Sequence, residues 1–194
     1  MRLHTLKMGL VALFATIPAL ALAHPGHEHT TSFMSGFMHP MGGLDHLLAM
    51  LAIGLWAASL GGRALWAIPT AFVGTMLVGG GLAVAGVQVP FIEQGIVLSV
   101  ILMGALLVGA ARFPVAICAG IAGLFAVFHG AAHGLEMPLN ANGAEYALGF
   151  AVATALLHLV GIGFGAVIAR FQTPIITRVT GSLIAIAGLF LALI

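Results

Sequence analysis

Charged side chains are what this chain has least of. Asp, Glu, Lys and Arg make up 6% of its residues, against about 25% in ordinary soluble domains. With 61% hydrophobic residues and a mean hydropathy of +1.19, a water-soluble domain is excluded and an integral membrane protein is indicated. The net charge of +1 comes without any cluster of Lys or Arg, which excludes a surface built for nucleic acid or another polyanion. A single cysteine, Cys118, excludes an intrachain disulfide, and its apolar neighbours make it a small packed residue. Two motifs are missing as well. There is no GxxxxGK[ST] nucleotide loop and no HExxH metalloprotease pair.

What the chain has instead is a series of long apolar runs. The first carries Arg2 and Lys7, an apolar stretch from Met8 to Leu20, then Ala21-Leu22-Ala23, the form of a signal peptide cleaved after Ala23. An uncleaved first span is the alternative. Residues 24–38 would then be a periplasmic segment in which His24, His27 and His29 offer imidazoles for capturing a divalent transition ion, or serve no binding role. Residues 39–194 would form the transmembrane domain. Runs of about 17 to 25 residues, each enough to cross a hydrocarbon core, place spans near residues 43–60, 65–85, 91–111, 114–134, 144–169 and 174–193. The expected fold is therefore all-α, a bundle of six transmembrane helices with the mature N-terminus periplasmic.

Charge asymmetry supports that orientation. Arg63, Arg112, Arg170 and Arg178 all fall in loops on the cytoplasmic side of this layout, as the preference of Lys and Arg for that side requires. Glu28, Glu93, Glu136 and Glu145 fall on the other. The 27 glycines lie largely inside the spans, where small residues let helices approach closely. A lipid-facing stripe of them would equally serve a homo-oligomer.

Against this background two polar clusters stand out. The first is His39-Pro40-Met41-Gly42-Gly43-Leu44-Asp45-His46, entering the first span. Pro40 suits the first turn of a helix, which would put His39 at its entrance. If that helix is regular, His39 and His46 lie two turns apart on one face. If Gly42 and Gly43 unwind it, backbone carbonyls are exposed there instead. The second cluster is Phe128-His129-Gly130-Ala131-Ala132-His133-Gly134-Leu135-Glu136 at the end of the fourth span. His129, His133 and Glu136 share one side of a helix by their spacing. Opposite helix directions bring both clusters to the same membrane depth, so they read as halves of one metal site: His39, Asp45, His46, His129, His133 and Glu136. Ionisable groups in hydrocarbon are costly without an ion or a partner. Imidazole with carboxylate and no thiolate suits Ni, Co or Zn rather than Mg or Ca. Glu93, at the outer start of the third span, would draw cations in or be an ordinary loop residue. His158, about 20 Å into the fifth span, is a relay station or a structural histidine. Met41, Met50 and Met137 are thioethers to watch near such a site.

These residues make the chain resemble the HupE/UreJ family, small membrane proteins associated with hydrogenase and urease systems and regarded as nickel or cobalt importers. The likeness covers nearly the whole chain. It rests on the signal peptide, on His-Pro-x-x-Gly-x-Asp-His, on the Glu at the third span and on Phe-His-Gly-x-x-His-Gly-x-Glu. It implies that His39, Asp45, His46, Glu93, His133 and Glu136 are the important positions. The function to expect is import of Ni(II), or Co(II), across the bacterial inner membrane without ATP hydrolysis by this chain. The ion would be cargo, with no permanently bound cofactor, and the lipid bilayer the other partner. Two other classes use the same residues: a membrane metalloenzyme, which lacks a Ser or Cys nucleophile in either motif, and a haem-binding electron carrier, for which only His158 is deep enough.

Overall fold

The computed structural model describes residues 31–171 and 174–194. The expected signal peptide, with His24, His27 and His29, lies outside them. Among the described residues there are seven helices and no strand: α1 (Ser32–Gly42), α2 (Leu44–Leu60), α3 (Ala64–Val84), α4 (Ile92–Val108), α5 (Val115–Leu135), α6 (Gly143–Arg170) and α7 (Pro174–Leu191). The helix bounds of α3, α5 and α6 fall within one residue of those expected from hydropathy. Helix α4 stops three residues sooner than its apolar run does. Ala110 takes a left-handed φ of 47° and the Ala111 N–H turns back to the Leu106 carbonyl at 3.1 Å, the bonding of a Schellman stop.

Three helices are long and apolar enough to cross a membrane, α3, α5 and α6, and the pair α1 with α2 passes the same test together. That is fewer than the six full spans expected. At 1.5 Å per residue, the 17 residues of α4 reach about 25 Å, short of a 30 Å hydrocarbon core, and α7 is likewise a shorter apolar helix.

The regular helix that would carry both His39 and His46 is not formed. Helices α1 and α2 meet at 85°, with Gly43 extended between them at φ −109°, ψ 126°. Two consecutive glycines make this the cheapest place to leave the helix. A Cβ at Gly43 would sit 2.6 Å from Asp45 Oδ1, so a side chain there would displace the carboxylate from its place over Gly43. Pro40 is accordingly in the last turn of α1, not the first turn of a span. Its missing N–H leaves the Gly36 carbonyl without the usual helical donor.

Close helix pairs build the bundle: α3 on α5, α2 on α6, α4 on α7, and α1 along α6. Glycine contacts give their directions. Gly54 of α2 meets the backbone of His158 and Gly161 in α6, and Gly130 of α5 meets that of Met76 and Gly80 in α3, each pair running parallel. Helix α1 is tied down by Thr31, whose hydroxyl accepts the Met34 N–H, and by Ser32, whose hydroxyl accepts the Asn142 N–H at 2.8 Å. The buried core runs through Met50, Ile53, Trp56, Ile68, Phe72 and Met76, while many large apolar side chains stay exposed on the outside, as a lipid-facing surface allows. Asp45, Glu93 and Glu145 stand in the first turns of α2, α4 and α6. Glu136 caps the end of α5. All four carboxylates of the described residues therefore lie at one end of the bundle, and the arginines at the other.

Candidate metal site

The bend at Gly43 delivers the first cluster. It places His39 at the end of α1 and Asp45 and His46 at the start of α2, facing the last two turns of α5. Six of the residues singled out in the sequence come together there: His39, Asp45, His46, His129, His133 and Glu136. The ring centroids of His39 and His133 are 4.8 Å apart, those of His46 and His133 4.7 Å and those of His46 and His129 4.7 Å. His133 and His46 each take part in two of these contacts, and His133 is the one that reaches His39.

The rim of this group is polar and open. His39 Nε2 lies 2.7 Å from Glu136 Oε2. One ligand atom each from His39, His133 and Glu136 falls within 4.8 Å of the others, close enough for small side-chain rotations to close on one ion. The rim faces a cavity of about 590 Å³ lined by Met34, Met38, Asp45, His46 and Glu93 among others. Glu93 thus stands at the mouth, exposed, outside the knot of imidazoles.

The floor is buried, and its hydrogens can be counted. Asp45 Oδ1 accepts the His46 backbone N–H at 2.7 Å and lies 2.9 Å from His46 Nδ1. A carboxylate only accepts, so Nδ1 carries the hydrogen and Nε2 keeps its lone pair. Ser99 has one hydroxyl hydrogen, committed to the Ile96 carbonyl at 2.6 Å. Its oxygen therefore accepts from His129 Nε2 at 2.9 Å, and His129 Nδ1 keeps the lone pair. His46 Nε2, His129 Nδ1 and both nitrogens of His133 are buried with no hydrogen-bond partner. His133 is held in place by the ring of Phe150, stacked at 5.0 Å and 26°. Buried nitrogens normally find partners. Here the rings of His129, His46 and His133 follow one another at 4.7 Å, and each holds a buried nitrogen without a partner, a shortfall that a cation would satisfy.

His158 is apart from the group. It is buried, both ring nitrogens lack partners, and Phe72 stands between it and the floor, 5.5 Å from His129 and 5.1 Å from His158. Of the thioethers, Met50 is packed in the core and Met41 and Met137 do not line the cavity; Met34 and Met38 do. Sequence reasoning missed these two, as it missed Ser99, Phe72 and Tyr146, whose ring is 5.9 Å from His39. Signals existed for some of them. Ser99 is a polar residue in an apolar helix, Tyr146 is the sole tyrosine, and Met34 and Met38 share a helix face with one-turn spacing. Nothing in the sequence marked Phe72 out from the other phenylalanines.

Comparison with known proteins follows this geometry. The family model described as "HupE / UreJ protein" matches residues 11–191. "Protein HupE" of Rhizobium leguminosarum bv. viciae is 39% identical over 172 residues, covering 89% of this chain and 90% of that protein. No solved structure matches significantly.

Proposed function

Because the chain belongs to the HupE/UreJ family, we propose that it is a permease importing divalent transition-metal ions, Ni(II) foremost and Co(II) beside it, from periplasm to cytoplasm. The observation that carries this reading is the buried floor of three imidazoles with unshared nitrogens beneath a rim of carboxylates. In the proposed sequence of events Glu93 and Glu136 attract the hydrated ion. His39, His133 and Glu136 replace part of its water, and His133, shared by rim and floor, passes it to His46 and His129. Asp45 holds His46 with the ligating nitrogen turned inward and offsets the ion's charge. Nickel and cobalt suit nitrogen-rich sites of this kind, whereas Mg(II) keeps its water and prefers oxygen. His158, behind Phe72, is the next station inward.

The membrane layout belongs to the same proposal. Helices α1 and α2 together, then α3 to α7 singly, make six passes through the inner membrane, with the short α4 and α7 accommodated by local thinning of the bilayer and the arginine end in the cytoplasm.

Uptake into proteoliposomes tests the reading. Purified protein should admit Ni(II) and Co(II) and leave Mg(II) outside. Binding without movement of any ion would end the importer reading and favour a sensor or an enzyme. A finer test concerns Ser99. Without its oxygen, His129 loses the partner that sets its tautomer, so Ser99→Ala should weaken nickel binding about tenfold, within the 10–100-fold range for groups that orient metal ligands. Ser99→Thr, keeping the hydroxyl, should restore it. Calorimetric titration of the detergent-solubilised protein reads both, and equal affinities in all three proteins would remove Ser99 from the site.

A further inference from the structure

At the end of the bundle away from the histidines there is a second cavity, of about 310 Å³, that the metal site does not use. Leu55 and Gly165 wall it from the parallel pair α2 and α6, Arg112 from the segment after α4, and Thr177 and Arg178 from the start of α7. Gly165 is seven residues beyond His158 on α6, about 10 Å further along the axis, so the cavity lies on the line the histidines mark out. Its chemistry is opposite to theirs. Two arginines line it and no Asp or Glu does. The carboxylates of the described residues are at the other end, Glu136 beside His39 and Asp45 beside His46. Ser59 is neutral, and its hydroxyl hydrogen already goes to the Trp56 carbonyl at 2.7 Å. Planar guanidiniums match the oxygens of a tetrahedral phosphate in paired hydrogen bonds, and Thr177 adds a hydroxyl.

We propose that this cavity holds a phosphate group between Arg112 and Arg178, carried by an anionic lipid headgroup or present as free phosphate. The site stands on the cavity and its lining alone. Its role rests on the importer reading: a divalent cation leaving past two bare guanidiniums is repelled, and a bound phosphate cancels that charge and offers oxygens to the departing ion.

The test uses full-length, delipidated protein in detergent, titrated separately with short-chain phosphatidylglycerol, short-chain phosphatidylcholine and inorganic phosphate, with bound ligand counted by native mass spectrometry. Wild type should retain phosphatidylglycerol or inorganic phosphate in preference to phosphatidylcholine, and whichever binds identifies the source. The double variant Arg112→Gln/Arg178→Gln should weaken that binding about tenfold or more, while Arg112→Lys/Arg178→Lys keeps most of it. Arg63→Gln is the control, an arginine at the same end that lies 6.0 Å over the Trp66 ring and does not line the cavity. Undiminished binding in the glutamine pair, an equal loss in Arg63→Gln, or no preference over phosphatidylcholine in wild type would overturn the proposal. The readout is phosphate and not metal. A wild type that binds phosphate but moves no nickel fells only the importer reading, and one that moves nickel without binding either anion fells only this site.

Discussion

Nickel uptake by His133→Leu protein is expected to drop to that of empty vesicles, while the metal-free protein becomes more stable. His133 is the one imidazole within 5 Å, ring to ring, of both His39 and His46, so its loss cuts the rim from the floor. The weakening of nickel binding should exceed the roughly hundredfold upper range for residues that only orient a ligand. The stability change runs the other way. Both His133 ring nitrogens are buried without partners, and an unsatisfied buried polar group costs about 1–3 kcal/mol. Leucine, of similar volume and against the same Phe150 ring, removes that cost, so unfolding of the apo protein should require roughly 1–2 kcal/mol more. His39→Ala, by contrast, removes a half-exposed rim residue and should leave measurable uptake at raised nickel concentration. Radiolabelled nickel flux and denaturant unfolding in detergent measure the two effects. A His133→Leu protein that is less stable than wild type without metal would mean that the ring is held by bonds the floor does not have.

The second large effect is on folding. Gly130 packs against the Met76 carbonyl of α3, and a Cβ there would come within contact of that oxygen and 2.9 Å from the Gly80 nitrogen. Backbone cannot swing aside as a side chain does, so Gly130→Leu has to push α3 and α5 apart, at a cost of roughly 3 kcal/mol or more. That separation would move Phe72 and Met76 on one helix away from His129 and His133 on the other, so nickel binding should fail along with stability. Gly120→Leu is the matched control, on the same helix but with open space where its side chain would go, and it should unfold like wild type. If the two variants unfold alike, the tight α3–α5 contact is not what holds the site together.

Sequence alone determined that this is an all-helical protein of apolar helices, the extents of α3, α5 and α6, and the two short stretches that come together at the candidate site. Those properties are local. Hydropathy over some twenty residues marks a membrane helix, and spacings of three and four put His129, His133 and Glu136 on one face whatever surrounds them. At Gly42-Gly43 the residues allowed either a regular helix or a break, and the difference was settled by an Asp45 carboxylate folding back over Gly43 and by α1 finding α6 to lie against. The early stop of α4 was hidden because the left-handed position is held by Ala110 and not by the glycine beside it. Tertiary structure decided everything that joins distant positions: Ser99 with His129, thirty residues apart, Phe72 between two histidines of different helices, and Met34 and Met38 at the cavity. It also divided the expected single site into an open rim and a buried floor. No spacing rule foretells such pairings, because they depend on how closely glycine-lined helices approach, and only that approach buries the three imidazoles together.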